Sequence, residues 1–288
     1  ARTDPRDEVI PVTAAARLRW TVNLSIVFGE LPPAERPAAA AAAGFTAAEL
    51  WWPFGDEHAP APAAVEALRR SFTDAGVRLS GLNLLDDLGR GERGTASDPA
   101  QRVRFRRSVE VAADLAASLG CTALNALYGN RVPGLDPAEQ DELALENLAF
   151  AARAAHRVGA VLLIEALNSA ESPRYPLVSA KAAVDVADRV DELTGLGNAR
   201  FLCDLYHLAR MGEDLPRVIG TYADRIGHVQ IADVPGRHEP GTGTLDFEDL
   251  FARLAASGYA GPVGLEYRPT APGHATFDWL PRAHRAGG

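Results

Sequence analysis

The sequence predicts an α/β protein folded as one (β/α)8 (TIM) barrel, and three observations predict it. Short β-rich apolar runs alternate with long Ala/Leu/Arg/Glu stretches of helical period, the pattern of a parallel sheet wrapped by helices. Eight such units occupy about 270 of the 288 residues, near 34 per unit, which is the spacing of this barrel. No Pro-rich or Ser-rich linker breaks the series, and a doubly wound sheet, the other alternating architecture, usually needs fewer units.

The elements are expected in the following order. An N-terminal arm, 1–18, starts polar and is expected to be poorly ordered; the barrel fills 19–288 as a single domain. The first strand is expected at 19–27. Pro37 then opens a helix, six alanines continue it, and Gly44 can take the left-handed conformation that ends it. Strand 47–52 precedes helix 63–75, strand 77–84 precedes helix 99–119, strand 123–127 precedes helix 137–158, and strand 161–167 precedes helix 179–193. Strands 199–204, 226–231 and 262–267 complete the set; helix 247–257 separates the last two, and a helical segment is expected after every strand.

Composition removes several function classes. An apolar content of 47% supports a large core, and the formal charge of −9 opposes nonspecific attachment to nucleic acid. Lys181 is the single lysine, and its flanks read as helix rather than glycine loop, which disfavours Schiff-base and P-loop chemistry. Cys121 and Cys203 sit far apart inside apolar segments and read as two buried free thiols, fitting a reducing cytoplasm. No apolar run approaches the roughly 20 residues of a membrane span, and the polar start has no signal-peptide core after it, so neither a membrane nor a nucleic acid is expected as partner. A homo-oligomer is compatible with the sequence. Trp51-Trp52, after the second strand, reads as a pocket wall, with a subunit contact as the other reading.

Gly89-Arg90-Gly91-Glu92-Arg93-Gly94 satisfies G-x-G-x-x-G, yet it does not join a strand directly to a helix, so a flexible βα loop is the better reading. The sequon at Asn23 falls in a buried strand and is set aside. No G-x-S-x-G, H-E-x-x-H or C-x-x-C motif occurs.

The chemistry gathers at the ends of the late strands. Glu165 closes Leu162-Leu163-Ile164-Glu165, Asp204 closes Phe201-Leu202-Cys203-Asp204, Gln230 follows His228-Val229, and Glu266 closes Val263-Gly264-Leu265-Glu266. Closing a barrel brings neighbouring strand ends together, so three carboxylates and one amide oxygen converge. Such carboxylates repel unless a positive charge lies between them, and an oxygen-only set suits a hard divalent cation. His207, three residues after Asp204, should face the same cavity, and Glu171 occupies the loop after the fifth strand. The run from Asp233 to Gly243 reads as an active-site loop with Arg237 as an anion clamp.

Four segments, Ile164-Glu165-Ala166-Leu167-Asn168, Cys203-Asp204-Leu205-Tyr206-His207, Pro235-Gly236-Arg237-His238-Glu239-Pro240-Gly241-Thr242-Gly243 and Leu265-Glu266-Tyr267-Arg268-Pro269, resemble the hydroxypyruvate isomerase family of the xylose-isomerase-like barrel superfamily. The resemblance spans about 19–279, and the Pro-Gly-Arg-His-Glu-Pro-Gly-Thr-Gly run is its most specific part. It implies a divalent metal, Mg²⁺ or Mn²⁺, on Glu165, Asp204, Gln230 and Glu266. It also implies catalytic proton transfer by Glu165 and Glu266, and substrate contacts from His207, Arg237 and, more weakly matched, Glu171. The chain departs from the family at Thr244, where glutamate is usual, and in the arm before residue 19; the first bears on the exact substrate.

The implied reaction interconverts hydroxypyruvate and tartronate semialdehyde through an enediolate, with Glu165 as base and Glu266 supporting, or the two roles exchanged. The substrate class is a small keto-acid or sugar. A 2-oxo-tetronate isomerase or ketose 3-epimerase is the nearest alternative, followed by a dehydratase of the superfamily and a non-catalytic sugar-binding barrel. An apurinic-site endonuclease would need a histidine-rich metal cluster and a cationic groove, which Gln230 and the −9 charge oppose.

Overall fold

The computed structural model describes residues 14–271 and 273–287. In chain order the elements are β1 (Arg19–Asn23), α1 (Leu24–Val27), α2 (Arg36–Ala42), β2 (Ala47–Leu50), α3 (Pro62–Ala75), β3 (Arg78–Asn83), α4 (Arg102–Leu119), β4 (Ala123–Asn125), α5 (Pro137–Arg157), β5 (Val161–Glu165), α6 (Ala180–Thr194), β6 (Ala199–Asp204), α7 (Leu205–Arg210), α8 (Leu215–Tyr222), β7 (Ile226–Ile231), α9 (Phe247–Ala256) and β8 (Pro262–Leu265). All neighbouring strands pair in parallel, and β8 closes on β1 through Arg19 opposite Pro262 and Val22 opposite Leu265. The predicted barrel is the observed one.

Local chemistry sets the element ends. Asn23 stops β1 short of the expected residue 27, because its side chain accepts the Ser25 N–H and starts the turn α1. Helix α5 opens on Asp136, whose carboxylate accepts the Ala138 N–H, with Pro137 in the first turn, where its missing N–H costs nothing. Helix α2 ends before Gly44, which takes φ +99° as its position required. The expectation of a helix after every strand fails once: among the described residues after β8 there are only short 3-10 turns, Gly273–Phe277 and Arg282–His284.

Residues 1–13 of the expected arm lie outside the described residues. Ala14–Arg17 form a 3-10 turn with Ala14 and Ala15 buried. Trp20, fully buried, fixes this turn by donating from Nε1 to the Ala15 carbonyl at 3.0 Å. Its ring meets Phe251 and Trp279 edge-on, with centroids 5.1 and 5.4 Å away, so one side chain locks the Ala14–Arg17 turn, α9 and the segment after β8 together.

Strand period decides what faces the barrel axis. On β5, Leu162 and Ile164 join the main core, whereas Leu163 packs with Ala123 and Leu202 in a separate small cluster. Two residues further along, the same alternation places Glu165 and Asp204 on the axial side at the carboxyl end. The apolar plug lies beneath, and the polar groups stand at the mouth.

Candidate active site

At that mouth the four strand-end residues are buried together, at 4% exposure for Glu165, 2% for Asp204, 4% for Gln230 and 5% for Glu266. Oxygen or nitrogen atoms of Glu165, Asp204 and His207 all lie within 4.8 Å of one another. Glu165, Glu171, His207, Arg237 and Glu266 line one cavity of about 250 Å³. Every residue singled out for the site thus lies in this constellation or directly against it.

The two glutamates are held differently. Glu266 Oε1 accepts from Trp51 Nε1 at 2.7 Å, Asn23 Nδ2 at 3.1 Å and Gln230 Nε2 at 3.3 Å, and its Oε2 accepts from Arg237 Nη2 at 3.0 Å. The Glu165 carboxylate accepts only from Asn125 Nδ2, at 2.8 Å, among the described residues. Burial, then Asp204 and Glu266, push the Glu165 carboxyl well above its usual range. Burial and Glu266 raise Asp204 to about 8. Glu266 is raised by burial too, with Arg237 pulling the other way. Desolvation and mutual repulsion therefore favour a proton or a cation among them.

A cation fits the donor set. Among the described residues the buried Gln230 Oε1 and Asn125 Oδ1 have no hydrogen-bond partner, an arrangement that costs free energy unless a ligand meets it. Gln230 is turned this way because its Nε2 donates to Glu49 Oε1 at 2.8 Å, which directs the amide oxygen elsewhere. Glu49 in turn pairs with His228.

His207 offers a proton rather than a lone pair. Its Nδ1 accepts the backbone N–H of Asn168 at 3.1 Å, so the proton sits on Nε2, 3.8 Å from Asp204 Oδ2. Burial, with Arg237 and Arg93 nearby, holds the imidazole well below its usual pKa and therefore neutral. Asp204 Oδ1 meanwhile caps α7, accepting from the Tyr206 and His207 N–H groups at 2.8 and 3.1 Å.

Arg237 approaches from the β7–α9 loop with φ 61°, in the left-handed region that a side chain enters only when its surroundings hold it there. Asp233 supplies the hold: its carboxylate accepts the N–H groups of Val234, Gly241, Gly243 and Leu245 at 2.8 to 3.1 Å. Burial lowers the Arg237 pKa, but Glu266, Asp204, Glu171 and Glu165 outweigh it and the net shift is upward. Glu171 lies 4.0 Å from Arg237 and 3.9 Å from Arg268, at the cavity rim.

The sequence reading missed half of the ring. Asn23, Asn83 and Asn125 end β1, β3 and β4, and Glu49 is the last residue but one of β2; the rule that found the late strand ends would have found them. Trp51 is the pocket wall it was read as, while Trp52 is buried and donates to the Glu57 carbonyl at 3.2 Å. Arg93, from the G-x-G-x-x-G run, lines the cavity and was passed over.

A family model described as a xylose isomerase-like TIM barrel matches residues 37–283. A putative hydroxypyruvate isomerase of Streptomyces coelicolor is 64% identical over 93% of this chain and 97% of its own length. The hydroxypyruvate isomerase of Escherichia coli is 33% identical, covering 91% and 98%. A 2-oxo-tetronate isomerase of Cupriavidus necator is 35% identical, covering 91% and 97%. Among solved structures, one from Brucella melitensis described as an AP endonuclease, family 2, superposes with TM-score 0.81 at 34% identity, covering 91% of this chain and 98% of that one.

Proposed function

This chain belongs to the xylose isomerase-like TIM-barrel family, and from that premise we propose that it is an isomerase interconverting hydroxypyruvate and tartronate semialdehyde with a divalent cation. The observation that carries the reading is the buried set of Glu165, Asp204, Glu266 and the orphaned Gln230 oxygen, beside a neutral His207 and a fixed Arg237. Relatives named for hydroxypyruvate isomerisation over nearly the whole chain support it.

In the proposed reaction, Glu165 takes a proton from C3 of hydroxypyruvate and delivers it to C2, while one hydroxyl proton passes from O3 to O2; the enediolate lies between. Glu165 suits the base because a single side-chain donor on its carboxylate leaves it able to accept a proton, whereas four donors already occupy the Glu266 carboxylate. His207 Nε2–H donates to the oxygen that gains charge. The unpartnered Nε–H of Arg237 is a second donor, its Nη2 being committed to Glu266. Glu171 steadies Arg237 at the rim and contacts the substrate's outer end. A cation on Glu165, Asp204, Gln230 and Glu266 would supply positive charge beside that same oxygen, and the oxygen-only donor set favours Mg²⁺ or Mn²⁺ over zinc.

A 2-oxo-tetronate is the second substrate to test, supported by the Cupriavidus necator relative. The cavity of about 250 Å³ is below the roughly 300–1,000 Å³ typical of sites for drug-sized ligands, so a small acid suits it. That volume and the −9 charge argue against a DNA strand as substrate. A cytoplasmic setting belongs to the same reading and is supported by the buried free thiols of Cys121 and Cys203. Among the described residues no helix is long and apolar enough to cross a membrane.

The experiment is NMR of solvent-deuterium exchange into hydroxypyruvate, 2-oxo-tetronates and free ketoses with metal added. Fastest exchange and isomerisation with hydroxypyruvate is expected; exchange confined to ketoses overturns the proposal.

A further inference from the structure

We propose that Arg93 reads the carboxylate of the substrate and so selects small 2-oxo acids over neutral sugars. The inference rests on the isomerase reading and gives it a specificity residue. Arg93 lies between β3 and α4 in Gly89-Arg90-Gly91-Glu92-Arg93-Gly94, and its side chain lines the same cavity as Glu165, His207 and Glu266. The loop is fixed at Arg93 and Gly94 to the chain after β4. The Arg93 carbonyl accepts the Gly129 N–H at 2.9 Å. Gly94, at φ +82°, packs so closely on the chain after β4 that a Cβ would stand 2.0 Å from the Leu127 carbonyl oxygen. Only glycine permits that approach, so this spacing serves backbone packing rather than a pyrophosphate.

The guanidinium is aimed and partly uncommitted. Nε donates to Ser172 Oγ at 2.8 Å, and Nη1 donates to the carbonyls of Glu92 at 2.8 Å and Leu88 at 3.3 Å. Among the described residues Nη2 has only a long contact, 3.4 Å, to the Glu171 carbonyl. That end of the fork keeps donors for an oxyanion. Arg237 is worse placed for the task, since its Nη2 already serves Glu266 at 3.0 Å. Among the described residues no carboxylate lies within 4.0 Å of Arg93. A half-buried cation whose direct acceptors are all neutral, with the carboxyl groups of Asp86 and Glu171 acting on it only from beyond contact distance, gains from a ligand that brings negative charge into contact.

The bonds to Ser172, Glu92 and Leu88 would also let Arg93 merely staple two loops, and the test separates the roles. Arg93→Met is compared with the wild type for turnover of hydroxypyruvate and for inhibition by dihydroxyacetone, its analogue with hydroxymethyl in place of carboxylate. The expected result is a KM for hydroxypyruvate raised on the order of 10- to 100-fold with a smaller change in kcat, a dihydroxyacetone Ki unchanged within about twofold, and partial recovery in Arg93→Lys. An unchanged KM, or a parallel rise in the dihydroxyacetone Ki, overturns the assignment. Wild-type protein inactive on every 2-oxo acid removes the isomerase reading and this one with it; an active wild type with parallel losses in the variant removes only the role of Arg93.

Discussion

Residue by residue, the site is built on asymmetry between like groups. Glu165 and Glu266 are both buried glutamates at strand ends, yet the carboxylate of one meets a single side-chain donor and that of the other meets four. Glu165→Gln keeps the shape and removes the base; loss of solvent exchange at the substrate carbon by about 10²- to 10⁴-fold is expected, with the melting temperature maintained or raised. Retained exchange in that variant would take Glu165 out of the role. Gln230 carries a second prediction: chelator-stripped wild type should regain turnover best with Mg²⁺ or Mn²⁺, and Gln230→His should shift the preference toward zinc. Strict zinc dependence of the wild type, or full activity without metal, contradicts it. The late strand ends were legible because a carboxylate closing an apolar strand has no packing reason to be there. The proton position on His207 was not, because it follows from the Asn168 N–H, 39 residues away in the chain.

At the level of elements, a pattern of apolar runs finds the strands but overshoots their ends. Residues 24–27 and 266–267 continue the apolar or β-prone character of β1 and β8, but the ladder stops at Asn23 and Leu265. The β7–α9 loop shows what an irregular segment needs to be rigid. Asp233, 1% exposed, accepts four backbone N–H groups, so Asp233→Ala strands those donors and releases the constraint on Arg237. A stability loss of roughly 1–3 kcal/mol in denaturant titration is expected, with a proportionally larger fall in kcat/KM. Unchanged kcat/KM would mean that Arg237 is held by Glu266 and Glu171 alone.

For the whole molecule, the gathered acids couple folding, metal and pH. The folded-state pKa of Asp204 rises from its ordinary 3.8 to about 8, as does that of Asp86, which burial raises from the same value. Between these limits the folded chain keeps protons that the unfolded chain has lost. Metal-free protein should therefore lose stability as pH rises from about 4 to 8, at up to about 1.4 kcal/mol per pH unit for each such carboxyl, and level off above. A cation replaces the protons on the site carboxylates: melting curves with metal at about a hundredfold excess over Kd should gain about 2.7 kcal/mol near neutral pH, and binding should tighten as pH rises. A melting temperature that climbs with pH in metal-free buffer would contradict the sign. The sequence by itself determined the barrel and the identity of the late strand ends, because a strand–helix alternation and a period of two are local properties of the chain. Only the tertiary structure decided the proton position on His207, the orientation of Gln230 by Glu49, and the entry of Arg93 into the cavity. Those are contacts between residues tens to hundreds of positions apart, and they exist only once the barrel has closed.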